Sequence, residues 1–191
     1  MSLPHAILTA LLEKPSSGLE LTRRFDKSIG YFWSATHQQI YRELGRLEQA
    51  GLIRALPSDQ PARGQKREYE VLAAGREELT AWVGTPQEPR ALRDPLFLRI
   101  RAAAVVGTAG LRVELLRHLE LHRRQLAEYG EIEKRDFAAP GLGAAQRMQY
   151  LVLKAGIGLE SHWVAWLREA IAELAEIDAA AARGAGPGAG R

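Results

Sequence analysis

The stretch Ser34-Ala35-Thr36-His37-Gln38-Gln39-Ile40-Tyr41-Arg42-Glu43-Leu44-Gly45-Arg46-Leu47-Glu48-Gln49-Ala50-Gly51 reads as one amphipathic helix, and the rest of the chain is read outward from it. Ser34 is the expected N-cap and Gly51 the stop. With Ile40 as reference, Leu44 and Leu47 lie on the same side, whereas Gln38, Arg42, Gly45 and Gln49 fall roughly 140 to 200° away at ~100° per residue. One face is apolar. The other offers Gln and Arg, which can pair bidentately with adenine and guanine edges in a major groove. Any surface helix also has a polar outer face, so the neighbouring elements have to decide.

Upstream, Ala6, Ile7, Ala10 and Leu11 recur at helical spacing between Leu3 and Glu13, and Lys14-Pro15-Ser16-Ser17-Gly18 ends that pattern. Ser16 or Ser17 can cap a second helix carrying Leu19, Leu21 and Phe25, interrupted at Ser28-Ile29-Gly30; Leu21 and Phe25, four apart, should share its buried face. Downstream, Leu52 to Leu56 reads as a short strand, Pro57 to Gln65 as a turn-rich loop and Lys66 to Leu72 as an alternating second strand. A fourth helix from about Ala74 to Val83 carries Leu79 and Trp82. Three short helices followed by a basic hairpin is the order of a winged helix-turn-helix, in which the third helix enters the major groove and the hairpin touches flanking backbone. On that reading Gln38, Gln39, Arg42 and Arg46 read or flank bases, and Arg63, Lys66 and Arg67 hold phosphates. The same hairpin charges would also suit a solvated edge strand.

Charge and composition narrow the classes. The 191 residues carry 26 Lys+Arg against 23 Asp+Glu, a net charge of +3. Between Arg23 and Arg67, nine basic residues face four acidic ones, which leaves a slightly negative remainder. Widening the window to Glu20 through Glu70 adds three acids and weakens the contrast. With no cysteine, disulfide scaffolds, Cys-ligated metals and thiol nucleophiles are excluded, and a reducing, cytoplasmic setting is expected. The N-terminal apolar stretch Ala6 to Leu12 is too short to span a membrane and lacks the flanks of a secretory signal, so no membrane partner is expected. At 46% hydrophobic residues the chain can bury a real core.

The second half reads as helical. Residues 84–94 (Gly84-Thr85-Pro86-Gln87-Glu88-Pro89 and beyond) resemble a linker, and Asp94-Pro95 is a capping carboxylate followed by proline at the first helical position. Leu115, Leu119, His122, Leu126 and Tyr129 form a stripe on one long helix ended by Ala139-Pro140-Gly141; Met148, Val152, Ala155, Leu159 and Trp166 form another. The two should fold back as a hairpin. Stripes this long suggest a partner helix, with Trp163 and Trp166 as core or interface anchors. Gly156 and Gly158 would mark close packing or a hinge. From Ala179 the apolar periodicity gives way to alanine and glycine, and a disordered tail is expected. The resulting fold class is mainly α with a small β-hairpin wing. Residues 1–83 would form a winged helix-turn-helix domain, 84–94 a linker, 95–178 a helical dimerisation and effector domain, and 179–191 the tail.

An enzymatic reading finds little support. His118 and His122, at i and i+4, have a spacing that can chelate zinc, but Glu120 is not placed as in the metalloprotease pattern, and neither a phosphate loop nor a nucleophile elbow is evident. No catalytic residue, metal or cofactor is expected. A helical adaptor that binds only protein would keep the C-terminal stripes but leave the basic hairpin unexplained.

The segment from Tyr31 to Ile53, Ser17-Gly18-Leu19-Glu20-Leu21 and Leu72-Ala73-Ala74-Gly75-Arg76-Glu77-Glu78-Leu79 resemble the PadR family of bacterial transcriptional regulators, in its longer branch with a virulence-activator-like helical C-terminal domain. The resemblance implies a homodimer held by the C-terminal helices, a repressor of a palindromic operator on double-stranded DNA, and in some members release by small, often aromatic, effectors. It also makes Tyr41 and Arg42 DNA contacts, with the Tyr41 hydroxyl reaching a phosphate; packing at the edge of the core would explain Tyr41 as well. An effector pocket would draw on Trp82, Phe97, His118, His122, Trp163 and Trp166, residues that ordinary core packing also accounts for. Two departures stand out. Ala73 replaces a frequent Thr that would cap the fourth helix, a loss of ~1 kcal/mol, and Leu19 replaces a common Tyr.

Overall fold

The structure, a computed structural model, describes residues 3–27, 35–57, 67–89 and 91–184. The chain divides into two compact units, residues 1–90 and 91–191.

In the first unit the order is α1 (Leu3–Glu13), β1 (Ser16–Ser17), α2 (Gly18–Lys27), α3 (His37–Gln49), β2 (Ile53–Ala55), β3 (Glu68–Val71) and α4 (Ala73–Val83). Ile7, Leu8, Ala10 and Leu11 of α1, Leu21 and Phe25 of α2, Ile40, Leu44 and Leu47 of α3 and Ile53 of β2 close one buried core. Leu21 and Phe25 therefore do share the buried face of α2. The hairpin expected after Gly51 forms, with Ile53 opposite Val71 and Ala55 opposite Tyr69. A third strand was not foreseen. Ser16 and Ser17 pair with Tyr69 and Glu68, giving an antiparallel sheet in the order β1-β3-β2. Two residues are too few to leave any periodicity in the sequence.

The start of α3 differs from expectation. Thr36, not Ser34, is its N-cap: the Gln39 amide donates to Thr36 Oγ1 at 3.2 Å and the Thr36 amide to Gln39 Oε1 at 2.8 Å, a capping box. Ser34 lies outside the described residues. The stop is where glycine demands it, since Gly51 adopts φ +70° and the amides of Gly51 and Leu52 return to the carbonyls of Glu48 and Leu47. The start of α4 also differs from expectation: the helix begins at Ala73 with Leu72 in the N-cap position and no side-chain cap, so a Thr at position 73 would fall inside the first turn and not at the cap.

The second unit contains α5 (Pro95–Val106), α6 (Leu111–Asp136) and α7 (Ala144–Gly184). Asp94 Oδ1 accepts the Leu96 amide at 2.7 Å, the cap its Asp-Pro pair predicts. The pairs Glu133–Tyr150, Tyr129–Gly156 and His122–Glu160 show that α6 and α7 run antiparallel as the expected hairpin. A Cβ on Gly156 would stand 2.9 Å from the Tyr129 ring, so this glycine marks close packing, whereas Gly158 faces open space. The α6 stripe behaves as read: Leu115 and Tyr129 are buried, and Leu119, His122 and Leu126 half-buried. Of the α7 stripe only Trp166 does, packing against the core of this unit. Met148, Val152, Ala155 and Leu159 stay exposed, and α7 instead turns Gly156, Glu160, Val164 and Leu167 inward. Helix α7 also continues to Gly184, through alanines expected to belong to a disordered tail; alanine is the strongest helix former and needs no buried face to extend an existing helix. No helix among the described residues is long and apolar enough to cross a membrane.

Candidate nucleic-acid interface

The outer face of α3 follows directly from its inner one. Because Ile40, Leu44 and Leu47 are held in the core, Gln38, Tyr41, Arg42 and Gln49 are turned to solvent, and Arg46 joins them. Gly45 on this side meets nothing within 4 Å of the position a Cβ would take. Among the described residues Arg42 has no ion-pair partner, and its guanidinium is available to a ligand. Arg46 is less committed than a buried ion would be, with Glu43 3.7 Å away at i−3; a long pair whose guanidinium stands in solvent is worth little.

Gln39 has a second duty. Its Oε1 accepts from both the amide and the hydroxyl of Thr36, so the side chain that was expected at a base edge is also part of the helix start. Tyr41 lies with its ring against the backbone of Gly18 at the beginning of α2, yet half of its surface, 52%, remains open. It is both a packing residue and an accessible one.

On the hairpin, Arg67 is exposed at the start of β3 and stands 3.5 Å from Glu48 of α3. Arg54 is paired with Glu70 across the strands at 2.5 Å. Arg63 and Lys66 lie outside the described residues. Arg24, counted in the basic window, is spent on structure: it donates to the Ala10 carbonyl and to Glu13, both at 2.6 Å, and so closes the C-terminal end of α1. The concentration of positive charge is thus partly internal, a distinction that counting charges cannot make.

The six residues considered for an effector pocket separate into two groups. Trp82 belongs to the first unit, where its ring stacks on His5 at 4.4 Å. The other five gather in the second unit. Phe97 stacks on Trp163 at 5.4 Å and meets Trp166 edge-on at 5.1 Å, and His122 also stacks with Trp163, at 5.0 Å. Both histidines have carboxylate partners, His118 with Glu114 at 3.3 Å and His122 with Glu160 at 2.6 Å. Glu114 is the most perturbed acid described: hydrogen bonds from Arg117, the charges of Arg117 and Arg99, and a hydrogen bond with His118 outweigh desolvation and hold its carboxyl at about 2. No group of three metal-binding side chains occurs among the described residues.

An N-terminal winged helix-turn-helix with an exposed polar face on its third helix, followed by a separate helical unit, defines a class of transcriptional regulator. Residues 7–81 match the transcriptional regulator PadR-like family, and residues 92–175 match the virulence activator alpha C-term family. The chain is 42% identical over 187 residues to the probable transcriptional regulator Rv1176c of Mycobacterium tuberculosis, spanning 92% of this chain and 99% of that one. Among solved structures it is similar to the Vibrio cholerae virulence activator AphA, with TM-score 0.79 and 34% identity over 92% of this chain and 99% of that one. It also resembles Bacillus subtilis PadR in complex with operator DNA, with TM-score 0.78 and 28% identity over 90% and 97%. The same Bacillus protein in complex with p-coumaric acid gives TM-score 0.74 at 27% identity over 91% and 99%. The chain belongs to the PadR family of transcriptional regulators. Its families and relatives are regulators and not enzymes.

Proposed function

We propose that the protein is a homodimeric repressor that reads a palindromic operator on double-stranded DNA through α3 and the wing. The observation that carries this reading is the division of α3 into a buried Ile40-Leu44-Leu47 face and an exposed face bearing Gln38, Tyr41 and Arg42, the last with no ion-pair partner among the described residues. A structural neighbour with 28% identity has been captured on operator DNA, which supports DNA as the partner. Gln38, Gln39, Arg42 and Arg46 read or flank bases; Tyr41, Arg63, Lys66 and Arg67 hold phosphates. Repression follows the Bacillus relative, a negative transcriptional regulator at 28% identity. Two copies pair through the exposed apolar face of α7, whose burial would remove Met148, Val152 and Leu159 from water.

Selecting bound fragments from genomic DNA with the purified protein tests the reading, and an enriched palindrome is the expected product. With that site in hand, Arg42→Ala should weaken binding by ~1 to 3 kcal/mol and relax sequence preference, whereas Lys66→Ala should weaken binding to all sequences alike and flatten the salt slope. A protein that enriches no fragment is not a DNA-reading regulator.

A small aromatic effector is the second part of the proposal. The ring cluster of Phe97, Trp163, Trp166 and His122 offers stacking surface within the second unit, and the Bacillus relative binds p-coumaric acid. Phenolic acids titrated into the protein should quench tryptophan fluorescence saturably and release the operator. A broad panel without saturable change would remove this part and leave DNA reading intact.

A further inference from the structure

We infer that Gly18 is a positioning residue for DNA binding: it seats the Tyr41 ring so that the Tyr41 hydroxyl meets the DNA backbone, an inference that rests on the DNA-reading role of α3. Gly18 opens α2, and its backbone lies outside the left-handed region in which the chain needs glycine. Conformation therefore does not explain it, and helix propensity argues against it, since glycine is less favourable than alanine there. Space does explain it. A Cβ at position 18 would lie 2.5 Å from Tyr41 Cε1, closer than real carbon contacts come, and a tight 3.0 Å from Cζ and 3.1 Å from Cδ1.

Of the two sides of this contact, the seat is the fixed one. The amide and hydroxyl of Ser17 both donate to Glu20 Oε2 at 2.9 Å, and Ser17 is paired with Glu68 in the sheet, so the chain entering Gly18 is held on two sides. Tyr41 projects from α3 with half its surface in solvent. A methyl group at position 18 would thus re-aim the ring and leave the helices in place. Arg42, the neighbouring residue, presents the charge, and the Gly18 seat sets where the uncharged hydroxyl beside it points.

The test compares Gly18→Ala, Tyr41→Phe and the double variant on the selected operator fragment. Each single variant should lose about fivefold in affinity, the worth of one hydrogen bond, with an unchanged salt slope because no charge is lost. The double variant should bind like Tyr41→Phe alone, and Gly18→Ala should melt no lower than the parent, since alanine is the better helix former. Parental affinity in Gly18→Ala, multiplying losses in the double variant, or a lowered melting temperature for Gly18→Ala would each overturn the inference, the last by showing that the ring is wedged and Gly18 serves packing. A parent protein that enriches no DNA would instead remove the function on which the inference rests.

Discussion

The two units bury their apolar residues in opposite ways. In the first, α1, α2, α3 and β2 converge from several directions, and ten hydrophobic side chains are essentially withdrawn from water. In the second, a long antiparallel pair with α5 at its side can bury only one stripe of each helix. Leu96, Leu115, Leu167 and Leu174 form its core, while Val113, Met148, Leu151 and Leu159 remain more than half exposed. Convergent short elements complete a fold within one chain; long helical faces leave apolar surface that, in the homodimer proposed above, a second copy would cover. Stability should accordingly be intrinsic in the first unit and dependent on protein concentration in the second.

Breaking the first core should have the largest effect. Leu44→Ala removes a side chain from the centre of the α3 contact and should cost ~2 to 5 kcal/mol in chemical denaturation, independent of protein concentration. On the other side of the contrast, Leu159→Glu places a charge on an exposed face and should leave a single chain folded. It should weaken self-association at least about tenfold, read as a halved mass in sedimentation; an unchanged mass would mean that α7 does not carry the interface. Smaller again is Glu48→Gln, which removes a carboxylate beside Arg67 and near the reading face. It should raise DNA affinity about twofold at low salt, with the gain fading as salt screens it.

The smallest effect concerns pH. Glu114 is held at about 2 against an ordinary 4.5, so its contribution is fully present above pH 4.5 and is lost as the pH falls from there toward 2. Because both arginine partners are largely exposed, the effect is small. The melting temperature of Glu114→Gln should approach that of the parent across this window, and a constant gap would mean that the Arg117 and Arg99 contacts do not favour the charged form.

Features governed by local chemistry were legible in the sequence. The buried faces of α2 and α3, the glycine at Gly51, the Asp94 cap and the hairpin all follow from short-range periodicity and punctuation. What escaped depends on pairings between distant segments. Nothing near Ser16 announces a strand partner at Tyr69, and nothing near Gly18 announces the Tyr41 ring. The α7 stripe was misassigned because a helix of 41 residues has apolar residues on two faces, and periodicity does not tell which one the chain itself covers. Competing caps explain the error at α3: Ser34 and Thr36 are both suitable, and only Thr36 has Gln39 three residues on to complete the box. Arg24 shows the corresponding limit for charge, since its value to a ligand depends on whether the C-terminal end of α1 has already claimed it.

The capping box also has an evolutionary consequence. Gln38 and Arg42 sit on the outer face of α3 outside its capping box, so if they read bases as proposed, a lineage could exchange them and shift to a new operator without weakening the fold. Gln39 has no such freedom, because the side chain that would meet a new base also caps the start of the helix with Thr36. Drift in target preference should therefore run through positions 38 and 42, with position 39 lagging behind as the shared hinge between folding and reading.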